Sequence, residues 1–256
     1  MTIPRLAITR AVPASLAACE LTHRARTPID LAGARREHAA YEEALRSLGV
    51  IVEQLPSPDE SADAVFIEDT ACVLDELAVI ARPGAESRRD EVDAVAEALA
   101  HHRPLARIEA PGTLDGGDVL RVGRQLFVGR SSRTNEAGIE QLARLVEPHG
   151  YEVQAVTVRG CLHLKSAVTE LADGVLIAHP PFIDATEFEG LTIVSVDPDE
   201  PGAANVLRIG DTVLVAAQFP RTGALLESQG FRTIAVAQAE LEKAEAGLTC
   251  GSLLLA

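Results

Sequence analysis

Five polar residues recur at near-equal intervals along the chain. They are Asp69, Asp115, His163, Asn205 and Cys250, separated by 46, 48, 42 and 45 residues. Each stands near the head of an apolar run: "VFIEDTACVL", "TLDGGDVLRV", "LHLKSAVTEL", "AANVLRIGDTVLVAA" and "GLTCGSLLLA". Taken alone, Cys250 reads as a buried thiol acting as a small hydrophobe. Its spacing from the other four suggests company. If the five heads meet, one place holds a thiol, an imidazole, carboxylates and an amide. Cysteine with a histidine oriented by a carboxylate is the grouping of covalent catalysis. A thiol protease fits poorly, because its transition state needs oxyanion donors rather than a nest of negative charge. Carboxylates around a thiol suit a planar cation such as a guanidinium, which they match bidentately. Such a cation would also favour the thiolate as it binds.

These heads need elements that bring them together. Behind each of the first four comes a second apolar run, "LAVIARPG", "QLFVGR", "GVLIAHP" or "TVLVAA". Helical or turn-rich sequence follows, then a further strand such as "YEVQAVTV", "LTIVSV" or "FRTIAV". Helices are expected where apolar residues keep the helical period, in "ESRRDEVDAVAEALAHH" and "RTNEAGIEQLARLVEPHG". Ser87 and Thr134 are their expected N-caps. The fifth unit stops at Ala256 and would be completed by "RLAITR", the helix "DLAGARREHAAYEEALRSLG" and "VIVEQL" from the other end of the chain. A ring closed in this way protects edge strands. The reading is therefore an α/β fold, a five-bladed pseudo-symmetric propeller of strand-strand-helix-strand repeats around a central site. It is expected to form one domain over 1–256. The alternative is an ordinary α/β domain whose strand heads merely coincide.

Composition narrows the partners. A net charge of −15 argues against nucleic acid or anionic membrane, both of which demand basic patches. No stretch approaches the ~20 apolar residues that span a bilayer, and the N-terminus lacks a signal pattern. Cys19, Cys72, Cys161 and Cys250 are far apart with no C-x-x-C spacing, so disulfides and structural zinc are not expected. Nothing nearby completes a ligand set around Cys161 and His163. Burial is the default for the first three thiols. A cytoplasmic location is expected. A homodimer is compatible with the sequence but not called for by it.

Weaker motifs keep two readings. "DGGD" at 115–118 is a tight turn or a phosphate loop, and the latter lacks its Lys-Ser/Thr. Arg82, Arg88 and Arg89 in "RPGAESRR" are solvated charges or an anion site. Arg133 holds the equivalent place one unit later, which favours an anion-binding role for at least one arginine.

Together, "VFIEDTA", "RPGAESRRDEV", "TLDGGDVL", "FVGRSSRTNEAG", "LHLKSAVTEL", "AAN" and "GLTCGS" resemble the dimethylarginine dimethylaminohydrolase family, of the guanidine-modifying superfamily of five-bladed propellers. The matches run in order over nearly the whole chain. The resemblance implies hydrolysis of Nω-methylated arginine to citrulline and an alkylamine, with no cofactor and no metal. The implied partner is a small cationic guanidino amino acid. The resemblance makes Cys250 the nucleophile, His163 the general acid and base, and Asp115 the carboxylate that orients it. Asp69 would grip the guanidinium. Asp63, Glu68, Arg88 and Arg133 would hold the amino and carboxylate end, and Leu21 would lie on a lid. Before the cysteine, Ala244-Glu245-Ala246-Gly247 departs from the family's usual hydrophobic-Asp-Gly pattern, and the small Ala244 implies a roomier pocket or a looser lid. The rivals are an arginine or agmatine deiminase of the same fold and a non-catalytic binding propeller. Agmatine has no carboxylate and would leave Arg88 and Arg133 without a purpose.

Overall fold

The computed structural model describes residues 4–256. Among these, fifteen strands pair into five three-stranded sheets, numbered here in chain order. The first sheet joins both ends of the chain: β1 (Leu6–Arg10) lies between β2 (Ile51–Leu55) and β15 (Leu253–Leu255). The second holds β3 (Ala71–Val73), β4 (Ala78–Ile80) and β5 (Leu105–Arg107), and the third β6 (Val119–Val122), β7 (Gln125–Arg130) and β8 (Glu152–Thr157). The fourth holds β9 (Val168–Ala172), β10 (Val175–Ala178) and β11 (Thr192–Ser195), and the fifth β12 (Leu207–Ile209), β13 (Thr212–Ala216) and β14 (Arg232–Val236).

One rule governs all five sheets. The middle strand runs antiparallel to the first strand of its unit and parallel to the third. An antiparallel partner needs only a tight turn, whereas a parallel one needs a crossover. The crossovers are α1 (Leu31–Ser47), α2 (Val92–Ala100), α3 (Glu136–Val146) and, in the fifth unit, α5 (Pro220–Ser228). The fourth unit crosses on two short 3₁₀ turns, Pro180–Phe182 and Ala185–Phe188. Middle strands are covered on both faces, which explains their unbroken apolar runs; every residue of β4 and β13 is buried. The crossover helices supply the cover. Val95 and Leu99 of α2 are fully buried with Ile8, Ile67 and Ile80, each such side chain contributing about 1.5–3 kcal/mol relative to exposure. The register Leu6↔Leu255, Ala7↔Leu254, Ile8↔Leu253 closes the ring, as expected from the truncated last unit.

Two local expectations are corrected. The polar heads do not sit on strands. They sit on short helical turns just before the first strand of each unit: Ile67–Thr70, Gly116–Asp118, α4 (Leu164–Ala167), Pro201–Ala204 and Thr249–Gly251. Asp115 and His163 immediately precede their turns and Asn205 immediately follows its own. Nor are Ser87 and Thr134 N-caps. Ser87 lies inside a 3₁₀ segment, Glu86–Glu91, with its hydroxyl on Glu20. The hydroxyl of Thr134 is taken by the Asp115 N–H, so Asn135 caps α3 by accepting from Gly138.

Candidate active site

The helical turns bring Asp69, His163 and Cys250 to one cavity, with Asp115 on the histidine. His163 is buried with its Nε2 3.0 Å from Asp115 Oδ2 and its Nδ1 3.7 Å from Asp69 Oδ1. The double glycine of "DGGD" is a steric requirement of this packing. A Cβ on Gly117 would lie 2.7 Å from both Asp69 Oδ1 and His163 Nδ1, and the Gly117 N–H donates to Asp69 at 3.0 Å. Burial alone would push the imidazole down, but Asp69, Asp118 and Asp115 outweigh it and raise its pKa to about 9. At neutral pH it is an imidazolium. The pKa of Cys250 is raised as well, which keeps this group neutral. Burial first, then the charges of Glu68 and Asp69, push its thiol up to about 12. The N–H of Gly247, 3.3 Å from Sγ, works against that rise.

Cys250, His163 and Asp69 line one narrow cavity of about 20 Å³, with Asp63, Arg88 and Arg133 along its wall. Ala244 also borders it, buried against Leu21 and Cys250, so the small side chain is not matched by extra room in this closed arrangement. Arg133 makes one side-chain hydrogen bond, to Thr22 Oγ1 at 3.3 Å. Asp63 is buried and accepts from the Glu20 N–H.

Two residues have partners that the sequence did not show. Glu68 does not face the cavity. Its carboxylate accepts from Lys165 Nζ at 2.5 Å and from Thr249 Oγ1 at 2.6 Å, and it borders a larger cavity of about 620 Å³ on another side. Its neighbour Asp69 faces the thiol cavity, because adjacent residues on a tight helical turn point in different directions. Glu68 is thereby tied to the Cys250 turn through Thr249. Arg88 reaches the cavity wall but is already engaged. It donates to Asp69 at 2.6 Å, to Glu91 through both Nε and Nη2, and to the carbonyls of Asp63 and Phe66. Its first effect is to hold Asp69 ionised. Burial would raise the Asp69 carboxyl, yet His163 and Arg88 keep it below the usual range.

Two participants, Asp118 and Glu245, had no role assigned from the sequence. Asp118, raised by burial to about 6, accepts from Leu164 N–H and so fixes the start of α4 beside His163. Glu245 is the more informative case. It is the one non-glycine with positive φ among the described residues, at 62°. That conformation costs of order 1–3 kcal/mol for such a residue. Its carboxylate takes the backbone N–H groups of Thr22, His23 and Arg24 at 3.0, 2.6 and 2.5 Å. Thus the loop carrying Leu21 is strapped to Glu245, which lines the cavity. A cavity of about 20 Å³ has room for about one water and none for an amino acid, so a substrate enters only if its walls move. Glu245→Ala should accelerate tryptic cleavage after Arg24 and Arg26 several-fold. Equal cleavage of the two proteins would show that Glu245 does not hold the strap.

The oxygen and nitrogen atoms of Asp69, Asp115 and His163 lie within 4.8 Å of one another, close enough to share a cation. A metal there would have to displace the proton of an imidazole raised to about 9. Of the remaining thiols, Cys19 and Cys72 are buried as expected, while Cys161 is half-exposed; all four cysteines are free. No helix among the described residues is long and apolar enough to cross a membrane.

A family model described as N,N dimethylarginine dimethylhydrolase, eukaryotic, matches residues 21–187. The N(G),N(G)-dimethylarginine dimethylaminohydrolase of Streptomyces coelicolor is 43% identical over 237 residues, 92% of this chain and 91% of that protein. The chain belongs to the dimethylarginine dimethylaminohydrolase family. The fold agrees with that of solved family members. A cysteine-to-serine variant of the Pseudomonas aeruginosa enzyme, complexed with citrulline, superposes with a TM-score of 0.95 at 34% identity, covering 99% of this chain and 100% of that one. A histidine-to-glycine family enzyme solved as an adduct with S-methyl-L-thiocitrulline gives 0.94 at 34% identity, with the same coverage. The α/β propeller expected from the repeat spacing is therefore the family fold.

Proposed function

We propose that this protein hydrolyses Nω-methylated arginine to citrulline and an alkylamine, with Cys250 as nucleophile. The observation that carries the reading is the convergence of Cys250, an Asp115-held His163 and the Arg88-held Asp69 on one cavity. The citrulline bound to the Pseudomonas relative supports the product.

In this scheme Asp69 receives the substrate guanidinium, and Arg133, with Arg88 behind it, meets the α-carboxylate. The arriving cation offsets the charges of Glu68 and Asp69 that oppose thiolate formation. The Cys250 proton is lost to water. The thiolate forms a C–S bond to the guanidinium carbon, and the C–N bond breaks as His163 gives its proton to departing dimethylamine. A thiouronium on Cys250 remains. His163, now neutral, takes a proton from water while the water oxygen bonds to carbon. The C–S bond then breaks, releasing citrulline and the thiolate, and the leftover hydroxyl proton passes to solvent. Asp115 holds the imidazole in both halves.

The sign of the pH dependence follows from His163. Only the imidazolium can protonate the amine, so kcat/KM should fall as pH rises through about 9. Asp115 contributes to that raised value, so Asp115→Asn should move the alkaline limb to lower pH and lower kcat about 10²-fold. An unmoved limb would assign it to another group.

The substrate test compares asymmetric dimethylarginine, arginine and agmatine with the purified protein. Citrulline from the dimethylated substrate should far exceed that from arginine. Preferential turnover of arginine or agmatine would instead make the protein a deiminase.

A further inference from the structure

Four of the five repeating polar residues have a place in the proposed reaction, and the fourth in sequence, Asn205, does not. It is buried at the junction of two site-bearing turns. Its Oδ1 accepts from Thr249 N–H at 2.9 Å, and its Nδ2 donates to Thr249 Oγ1 at 3.0 Å and to the Lys165 carbonyl at 2.9 Å. Thr249 precedes Cys250, and Lys165 stands two residues after His163. One amide thus ties the thiol turn to the imidazole turn. Gly247 is shaped to the same amide: a Cβ there would lie 2.1–2.6 Å from its Cγ, Oδ1 and Nδ2. The N–H that reaches Cys250 Sγ belongs to Gly247.

We propose that Asn205 is a positioning residue, a brace that fixes the 247–250 turn against the His163 turn and so aims the Gly247 N–H at the thiol. It touches neither reacting atom. A primary amide is well suited to the task, since it offers an acceptor and two donors without charge. A carboxylate would lose both donors and add a negative charge beside Glu68. Buried polar groups left unpaired are costly, so the three bonds hold as a set.

This inference rests on Cys250 being the nucleophile, and the test separates the two. Asn205→Ala, Gly247→Ala and the double variant are compared with wild type. The readouts are kcat and KM for asymmetric dimethylarginine, the rate of Cys250 alkylation by iodoacetamide between pH 7 and 10, and the thermal midpoint. A misplacement of about 1 Å can cost ~10²-fold in rate. Asn205→Ala should therefore lower kcat by about 10–10²-fold with KM within about threefold, and alkylate several-fold more slowly because the N–H on sulfur is lost. Gly247→Ala keeps the amide but wedges the turn away from it, and should show the same pattern. Removing the amide makes room for the new methyl, so the double variant should be no worse than the worse single one. That non-additivity is the mark of contacting residues.

A lower thermal midpoint with kcat and alkylation at wild-type values would overturn the brace, as would losses that multiply in the double variant. If Asn205→Ala does not fold, Gly247→Ala decides alone, since it retains Asn205. Should wild type form no citrulline, the functional reading fails, while the alkylation rates still judge the brace.

Discussion

Cys250→Ser should lose on the order of 10⁴-fold or more in citrulline formation, with the fold and substrate binding retained. The substitution changes one atom, and the serine hydroxyl can still accept from the Gly247 N–H. What it cannot do is ionise. Burial and the charges of Glu68 and Asp69 already push a thiol up to about 12, and an alcohol starts far higher. A bound guanidinium that suffices to generate a thiolate leaves the hydroxyl protonated and weakly nucleophilic. Loss of a covalent nucleophile is among the largest single-residue effects in enzymes. Steady-state citrulline assays with equilibrium binding of citrulline separate the two properties. Retained activity within tenfold of wild type would exclude covalent catalysis by this residue.

His163→Gln should fall next, by about 10²–10⁴-fold in kcat. The glutamine amide can hold a hydrogen bond to Asp115 but has no proton to give at neutral pH. The deficit should depend on the leaving group. Dimethylamine departs from the tetrahedral adduct only when protonated, whereas methanethiol leaves without an acid. For S-methyl-L-thiocitrulline the first half-reaction should survive in the variant and the second should stall. Equal slowing of bond breaking for both compounds would mean that His163 acts elsewhere than at the leaving group.

The ring was legible in the sequence because repetition is a global signal. Spacings of 42–48 residues and a truncated last unit favoured a closure that no single segment could reveal. The helical turns beneath the polar heads were hidden, since turns and inner strands of three or four residues are too short to express a period. The thiol, the imidazole and its carboxylate were readable because few structural roles need that trio together. The partners of Glu68 and Arg88 were not legible, for one reason. A side chain's target depends on what sits opposite it: Lys165 and Thr249 reach Glu68 from elsewhere in the fold, and Asp69 reaches Arg88. Glu245 illustrates the same limit. The chain holds Glu245 at positive φ, and its carboxylate gathers three N–H groups more than two hundred residues away. Departure from the family pattern marked that position without saying what it does.

The claim that Cys250 attacks the guanidinium-type carbon is tested most directly by trapping. His163→Gly protein is incubated with S-methyl-L-thiocitrulline, quenched in acid, digested and analysed by mass spectrometry. The account predicts release of one methanethiol per protein molecule and an adduct confined to the peptide containing Cys250, absent when Cys250→Ser is added. An unmodified Cys250 peptide, in a variant whose wild-type parent releases citrulline from the same compound, would contradict it.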